Sequence, residues 1–142
     1  MKVLILSCIL LGLGACTAPI TKDQLRKQPA QKSSFEVDKP YQQVFAGLLK
    51  QTRACYLNKP TVHQITVVGN RDNGEKTANI TIEEVYAMAE HDAYLMIDLV
   101  SKGKNMTQVS VYASKTDAKN EVKSVKAWAL QGSQQCDVSW LS

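Results

Sequence analysis

At 142 residues, with 44% hydrophobic and 21% charged residues, the chain has the size and composition of one globular domain. Its formal charge of +4 is unevenly spread: Lys2, then Lys22, Arg26, Lys27 and Lys32 against Asp23 alone, carry the excess, while residues 35–142 hold 12 basic and 12 acidic side chains. A nucleic-acid footprint would need a basic face on the domain itself, and none is visible in that balance.

Met1-Lys2 gives the chain a positive start, and an almost unbroken apolar run covers residues 3–13. The run is shorter than the ~20 apolar residues a membrane-spanning helix requires, and it fits the core of an export signal. Leu13-Gly14-Ala15-Cys16 follows at once and resembles the lipobox of bacterial lipoproteins. The resemblance implies that Cys16 is thioether-linked to diacylglycerol, that the signal is cut before it, and that the new amine is acylated. A thiol is the nucleophile this chemistry needs, and small residues before it let the peptidase reach the backbone. The alternative is an ordinary secreted protein cut after Ala18, with Cys16 discarded. Each buried methylene adds about 0.8 kcal/mol, so two or three acyl chains hold a protein on a membrane. Thr17 stands where Asp would favour inner-membrane retention in enterobacteria-like sorting. The expected location is therefore the periplasmic side of the outer membrane.

Of four cysteines, Cys8 leaves with the signal and Cys16 carries the lipid. Cys55 and Cys136 remain, an even number in an oxidising compartment, and are expected to form a disulfide. Neither lies in a CxxC or beside a histidine, as a redox or metal pair would.

In chain order, residues 17–34 contain two prolines, many polar residues and few apolar anchors, and read as a flexible tether. Its cations lie beside lipid headgroups, where about 1 kcal/mol per Lys or Arg is gained near an anionic surface. The expected organisation is signal 1–15, lipidated Cys and tether 16–34, and globular domain 35–142. Phe35 and Val37 open a short strand. Asp38 reads as a helix N-cap, with Pro40 in the first turn. Tyr41, Val44, Phe45, Leu48, Leu49 and Thr52 form a helical stripe ending near Ala54. Gly47, costly inside a helix, marks a close approach to a sheet.

Four strands follow. Over 62–68, Ile65 and Val67 share a face, and Asn73-Gly74 is a hairpin signal. Over 77–87, Ala78, Ile80 and Ile82 alternate, but Glu84 falls in phase and Val85 out of it. A bulge near Glu83-Glu84 restores the register. Glu90-His91-Asp92 is a turn. Over 93–100, Leu95, Ile97 and Leu99 face one way and Tyr94, Met96 and Asp98 the other. After a turn at 102–105, Thr107, Val109, Val111 and Ala113 alternate. A last helix over 117–130 carries Ala118, Val122, Val125 and Ala129, and Gly132 ends it. The tail over 136–141 alternates weakly.

The fold class is thus α+β: an antiparallel sheet with two helices on one face, in the order β-α-β-β-β-β-α. A bond between Cys55 and Cys136 would tie together the C-terminal ends of both helices. This order resembles the helix-grip and TBP-like two-layer folds. The lipobox, the segment Phe35-Glu36-Val37-Asp38-Lys39-Pro40-Tyr41 and the cysteine after each helix together resemble a family of small Gram-negative lipoproteins. That resemblance implies location and shape and transfers no activity.

Candidate chemistry is sparse. His91, between Glu90 and Asp92, reads as a solvated turn, since zinc sites take three or four protein ligands. His63 reads as a polar-face residue. Glu83 and Glu84, adjacent in a strand, point to opposite faces and read as an exposed strand end. Asp98 faces solvent if the second sheet face is wet, and needs a partner if that face is covered. Tyr86, Tyr94, Met96 and Tyr112, with Met88 and Met106, are expected on that second face. Two readings of it stay open: an adaptable binding surface, or a face half covered by the tether or tail. The two N-x-T sites are discarded, because a bacterial lipoprotein does not meet the glycosylation machinery. No phosphate loop, nucleophile elbow or HExxH is present, so neither cofactor nor metal nor catalytic residue is expected. The leading expectation is a non-enzymatic envelope module, held to the membrane by lipid, with a protein partner in the envelope. The alternative is a carrier of an apolar small molecule or lipid.

Overall fold

A computed structural model describes residues 18–58, 64–86 and 90–138. Cys16 with its lipobox, His63, Met88 and the last four residues lie outside that set. Among the described residues no helix is long and apolar enough to cross a membrane.

The elements are α1 (Lys22–Lys27), β1 (Gln31–Val37), α2 (Tyr41–Tyr56), β2 (Gln64–Asp72), β3 (Thr77–Val85), β4 (His91–Gly103), β5 (Met106–Ala113) and α3 (Lys119–Gln131). The strands form one antiparallel sheet in the order β1-β5-β4-β3-β2. Hairpins build the run β2 to β5, and β1 closes the far side by pairing with β5 over its full length. The class is α+β, with one helix more than expected.

Leu95, Ile97, Leu99, Val109 and Val111 point to one face, all fully buried, and meet Val44 and Leu48 of α2 and Val125 and Trp128 of α3. Burying each such Leu, Ile or Val contributes about 1.5 to 3 kcal/mol, which makes this layer the main source of stability. Gly132 ends α3 in the left-handed conformation, with φ 64°, where a side chain would be strained. Cys55 and Cys136 are joined, with Cα atoms 5.3 Å apart, and Gln51 Nε2 donates to the Gln134 carbonyl at 3.0 Å beside them.

Several expectations are corrected. The segment read as a tether is ordered from residue 20 onward: α1 carries a capping box between Thr21 and Gln24, and residues 31–34 belong to β1. Six residues do not form a stable helix alone. The cause of order is tertiary, since Leu25 is 1% exposed against the second sheet face. Asp38 does not cap α2; Pro40 occupies the N-cap without a side-chain bond. Gly47 has nothing near it, whereas a Cβ on Gly69 would meet Leu49 at 2.9 Å and Phe45 at 3.1 Å. The close approach of helix to sheet is therefore made at the strand glycine.

Candidate functional site

The bulge decides where the aromatic residues go. The register shifts opposite Ile82 and Glu83, but the extra residue lies in β4: Leu95 pairs with Ile82 and Ala93 with Glu83, leaving Tyr94 unmatched. Alternation fails at that point. Ala93 joins Met96 under α1, and Tyr94 joins Leu95 in the main core, 2% exposed. Burial raises the Tyr94 hydroxyl far above the ordinary tyrosine range, with the charge of Glu121 and the neighbouring Tyr56 adding to it. Lys115 Nζ lies 5.2 Å from the centre of its ring.

The proposed Tyr and Met surface is thereby dismantled. Met96 is sealed beneath Leu25. Tyr112 is half-buried in the same cluster, with Lys32 Nζ 5.4 Å from its ring. Tyr86 remains 39% exposed and donates its hydroxyl to Glu84. Of the two readings of that face, the covered one describes it, and α1 is the cover. Asp98 finds its partner there, as Arg26 donates to both its carboxylate oxygens at 2.8 and 3.0 Å.

The paired glutamates are buried rather than exposed. They point to opposite faces, as neighbours in a strand must. Glu83 meets Lys22 at 3.2 Å and His91 Nδ1 at 2.9 Å, and Glu84 meets Lys115 at 3.4 Å as well as Tyr86. Each is held by its own cation, so the two do not converge on one bond. His91 belongs to β4 and binds Glu83 instead of standing in a turn. Among the described residues no three His, Cys, Asp or Glu side chains gather where an ion would sit.

An open groove of about 690 Å³ runs between α2 and β2. Its floor exists because Gly69 lacks a side chain, which lets Phe45 and Leu49, one helical turn apart, lie across the strand. Ala46, Lys50 and Arg53 recur at helical spacing and line the α2 wall, and Arg71 and Asn73 close the hairpin end. Tyr41 donates its hydroxyl to Asn73 at 3.0 Å, fixing that end. Lys50, Arg53 and Arg71 are exposed and, among the described residues, form no ion pair. The groove thus sets an apolar floor beside three cations, so dispersion contact and positive charge are offered together. Its lining contains no carboxylate, histidine or thiol.

None of these residues stood out in the sequence as a site. A glycine inside an alternating strand, two residues before Arg71, was the available signal. Its meaning depends on β2 being the last strand of the sheet, which spacing does not disclose. No family model and no curated protein sequence matches the chain.

Proposed function

We propose that the chain is a lipoprotein of the bacterial envelope, anchored through Cys16 on the periplasmic side of the outer membrane. Its domain is a non-enzymatic binding module that docks an envelope protein in the groove between α2 and β2. The observation that carries this is the groove itself: an apolar floor at Phe45, Leu49 and Gly69 beneath Lys50, Arg53 and Arg71. The signal and lipobox support the anchor. Two helices lying on one face of a five-stranded antiparallel sheet support the helix-grip, TBP-like description of the fold. The competing reading, a carrier holding an apolar ligand between sheet and helices, is disfavoured because that layer is filled by Leu95, Ile97, Leu99, Val109 and Val111.

A photoreactive residue at Ala46, in the groove wall, should yield a cross-linked adduct of defined mass in intact cells. The same probe at Lys32, exposed on the opposite face of the sheet, should not. Arg53→Glu combined with Arg71→Glu should abolish the adduct while leaving the melting curve in place. A lipid co-purifying in native mass spectrometry with no adduct at Ala46 would favour the carrier. For the anchor, Cys16→Ser should block uptake of labelled palmitate and leave uncleaved precursor. Normal labelling of that variant would remove the anchor assignment.

A further inference from the structure

β2 has nine residues and, among the described residues, pairs only with β3. Every second residue of an edge strand turns its N–H and C=O away from its neighbour, so β2 offers a row of unused main-chain groups about 30 Å long at 3.3 Å per residue. Natural edges are usually blunted by proline, a bulge or a mid-strand charge. β2 has none of these: its pairing with β3 is continuous, it contains no proline, and its charges wait until Arg71-Asp72 at one end. Midway along, Val68 is 37% exposed. The other edge, β1, is protected differently, with Lys32 and Glu36 along it and Lys126 of α3 5.9 Å from the Phe35 ring.

The cations beside this edge are strung out along it. The start of α2 is fixed at the hairpin end by the bond from Tyr41 to Asn73, and Leu49 crosses the strand at Gly69. Arg53 lies four residues past Leu49, about 6 Å further along the helix axis, and Arg71 is at the opposite end beside the hairpin. Lys50 and Arg53, three residues apart on one helix face, are close enough for a compact anion to meet both, and an extended chain would reach Arg71 at the hairpin end as well. We infer that β2 accepts an extended segment of its partner as a sixth antiparallel or parallel strand, with acidic side chains toward Lys50, Arg53 and Arg71 and small apolar ones over Phe45, Leu49 and Gly69. This rests on the groove being the ligand face and adds the mode of binding: main-chain pairing gives affinity, and alternate side chains give specificity. A second copy is the disfavoured occupant, because pairing two β2 edges would bring two sets of uncommitted cations together.

The test uses the mature lipidated protein in nanodiscs and a ten-residue peptide in which Glu and Val alternate at every second position with Ser between them, so that both share one face of a strand. Two control peptides accompany it: one of identical sequence N-methylated at every second amide, and one with the same residues in blocks. The alternating peptide should bind at least tenfold more tightly than either control and slow amide exchange in residues 64–72. Its affinity should drop at least tenfold in Lys50→Glu and in Arg53→Glu. Both positions are exposed on α2, so each variant is expected to fold, and its melting curve checks that. Equal binding of the N-methylated peptide, without protection of β2, would overturn strand addition while leaving the groove as a ligand face. Protection of β2 that grows with protein concentration in the absence of peptide would overturn it in favour of a second copy. Failure of every peptide to bind, with the Ala46 adduct intact, would overturn the acidic extended segment alone. Failure of both would remove the groove as well.

Discussion

Tyr86 donates its hydroxyl to Glu84, whose carboxylate also meets Lys115. The hydrogen bond to Glu84, with burial and the charges of Glu84 and Asp92, raises the Tyr86 phenol to about 12 from its ordinary 10. A raised folded-state value stabilises the fold fully below the unfolded value. That contribution is lost as pH rises, because the unfolded chain gives up its proton first. Stability should therefore fall as pH is raised from about 10 to about 12. In Tyr86→Phe, the denaturation midpoint should fall less over the same window. A slope unchanged by the substitution would show that the Tyr86 to Glu84 bond is not formed in solution. Tyr94 is a packing residue, and Tyr94→Ala should cost roughly 3 to 5 kcal/mol in urea unfolding. A loss below about 0.5 kcal/mol, the usual effect at a free surface, would contradict the bulge at that position.

At the scale of elements, α1 is the case where propensity and outcome part. It has six residues and one buried apolar side chain. Two of its anchors, the Arg26 to Asp98 pair and Leu25, are unequal. Arg26 and Asp98 are both partly exposed, and ion pairs of that kind are worth about 0 to 1 kcal/mol. Leu25, fully enclosed against Met96 and Ala93, is of the class whose truncation to Ala costs about 2 to 5 kcal/mol. Leu25→Ala should therefore release α1. Trypsin should then cut at Lys22, Arg26 and Lys27, and Met96 should become open to peroxide. Asp98→Asn should leave Met96 protected and the segment resistant. Equal release by both changes would mean that the ion pair holds the helix as firmly as Leu25 does.

Across the whole molecule, the bond from Cys55 to Cys136 joins positions 81 residues apart. It fastens the end of α2 to the segment after α3, which Trp128 Nε1 also grips by donating to the Gln135 carbonyl at 2.7 Å. Closing a loop of that length restricts the unfolded chain by about 4 to 5 kcal/mol in the chain-entropy model. Replacing both cysteines by Ser should lower the urea midpoint and raise the slope, because the unlinked unfolded chain exposes more surface. Reduction of the native protein should reproduce it. Free thiols at both positions in protein isolated without reductant would refute the pairing and reopen a redox role.

Much of this architecture was legible because it is periodic. Leu95, Ile97 and Leu99, then Val109 and Val111, alternate strictly, and Tyr41, Val44, Leu48 and Thr52 repeat at helical spacing; all are buried where those periods place them. Gly132 and the cysteine pair were equally local, one through a backbone conformation that only glycine adopts freely, the other through residue type and the even count left after Cys8 and Cys16 were set aside. Three features were not legible. The order of α1, the inward turn of Tyr94 and the open edge of β2 each depend on a neighbour remote in sequence, as the separation of 72 positions from Arg26 to Asp98 illustrates. Alternation tells which residues share a face of their own strand. It carries no information about what covers that face, which strand gains an extra residue, or which strand is last in the sheet. Those choices were made by tertiary packing, and the groove at Gly69 exists only because of them.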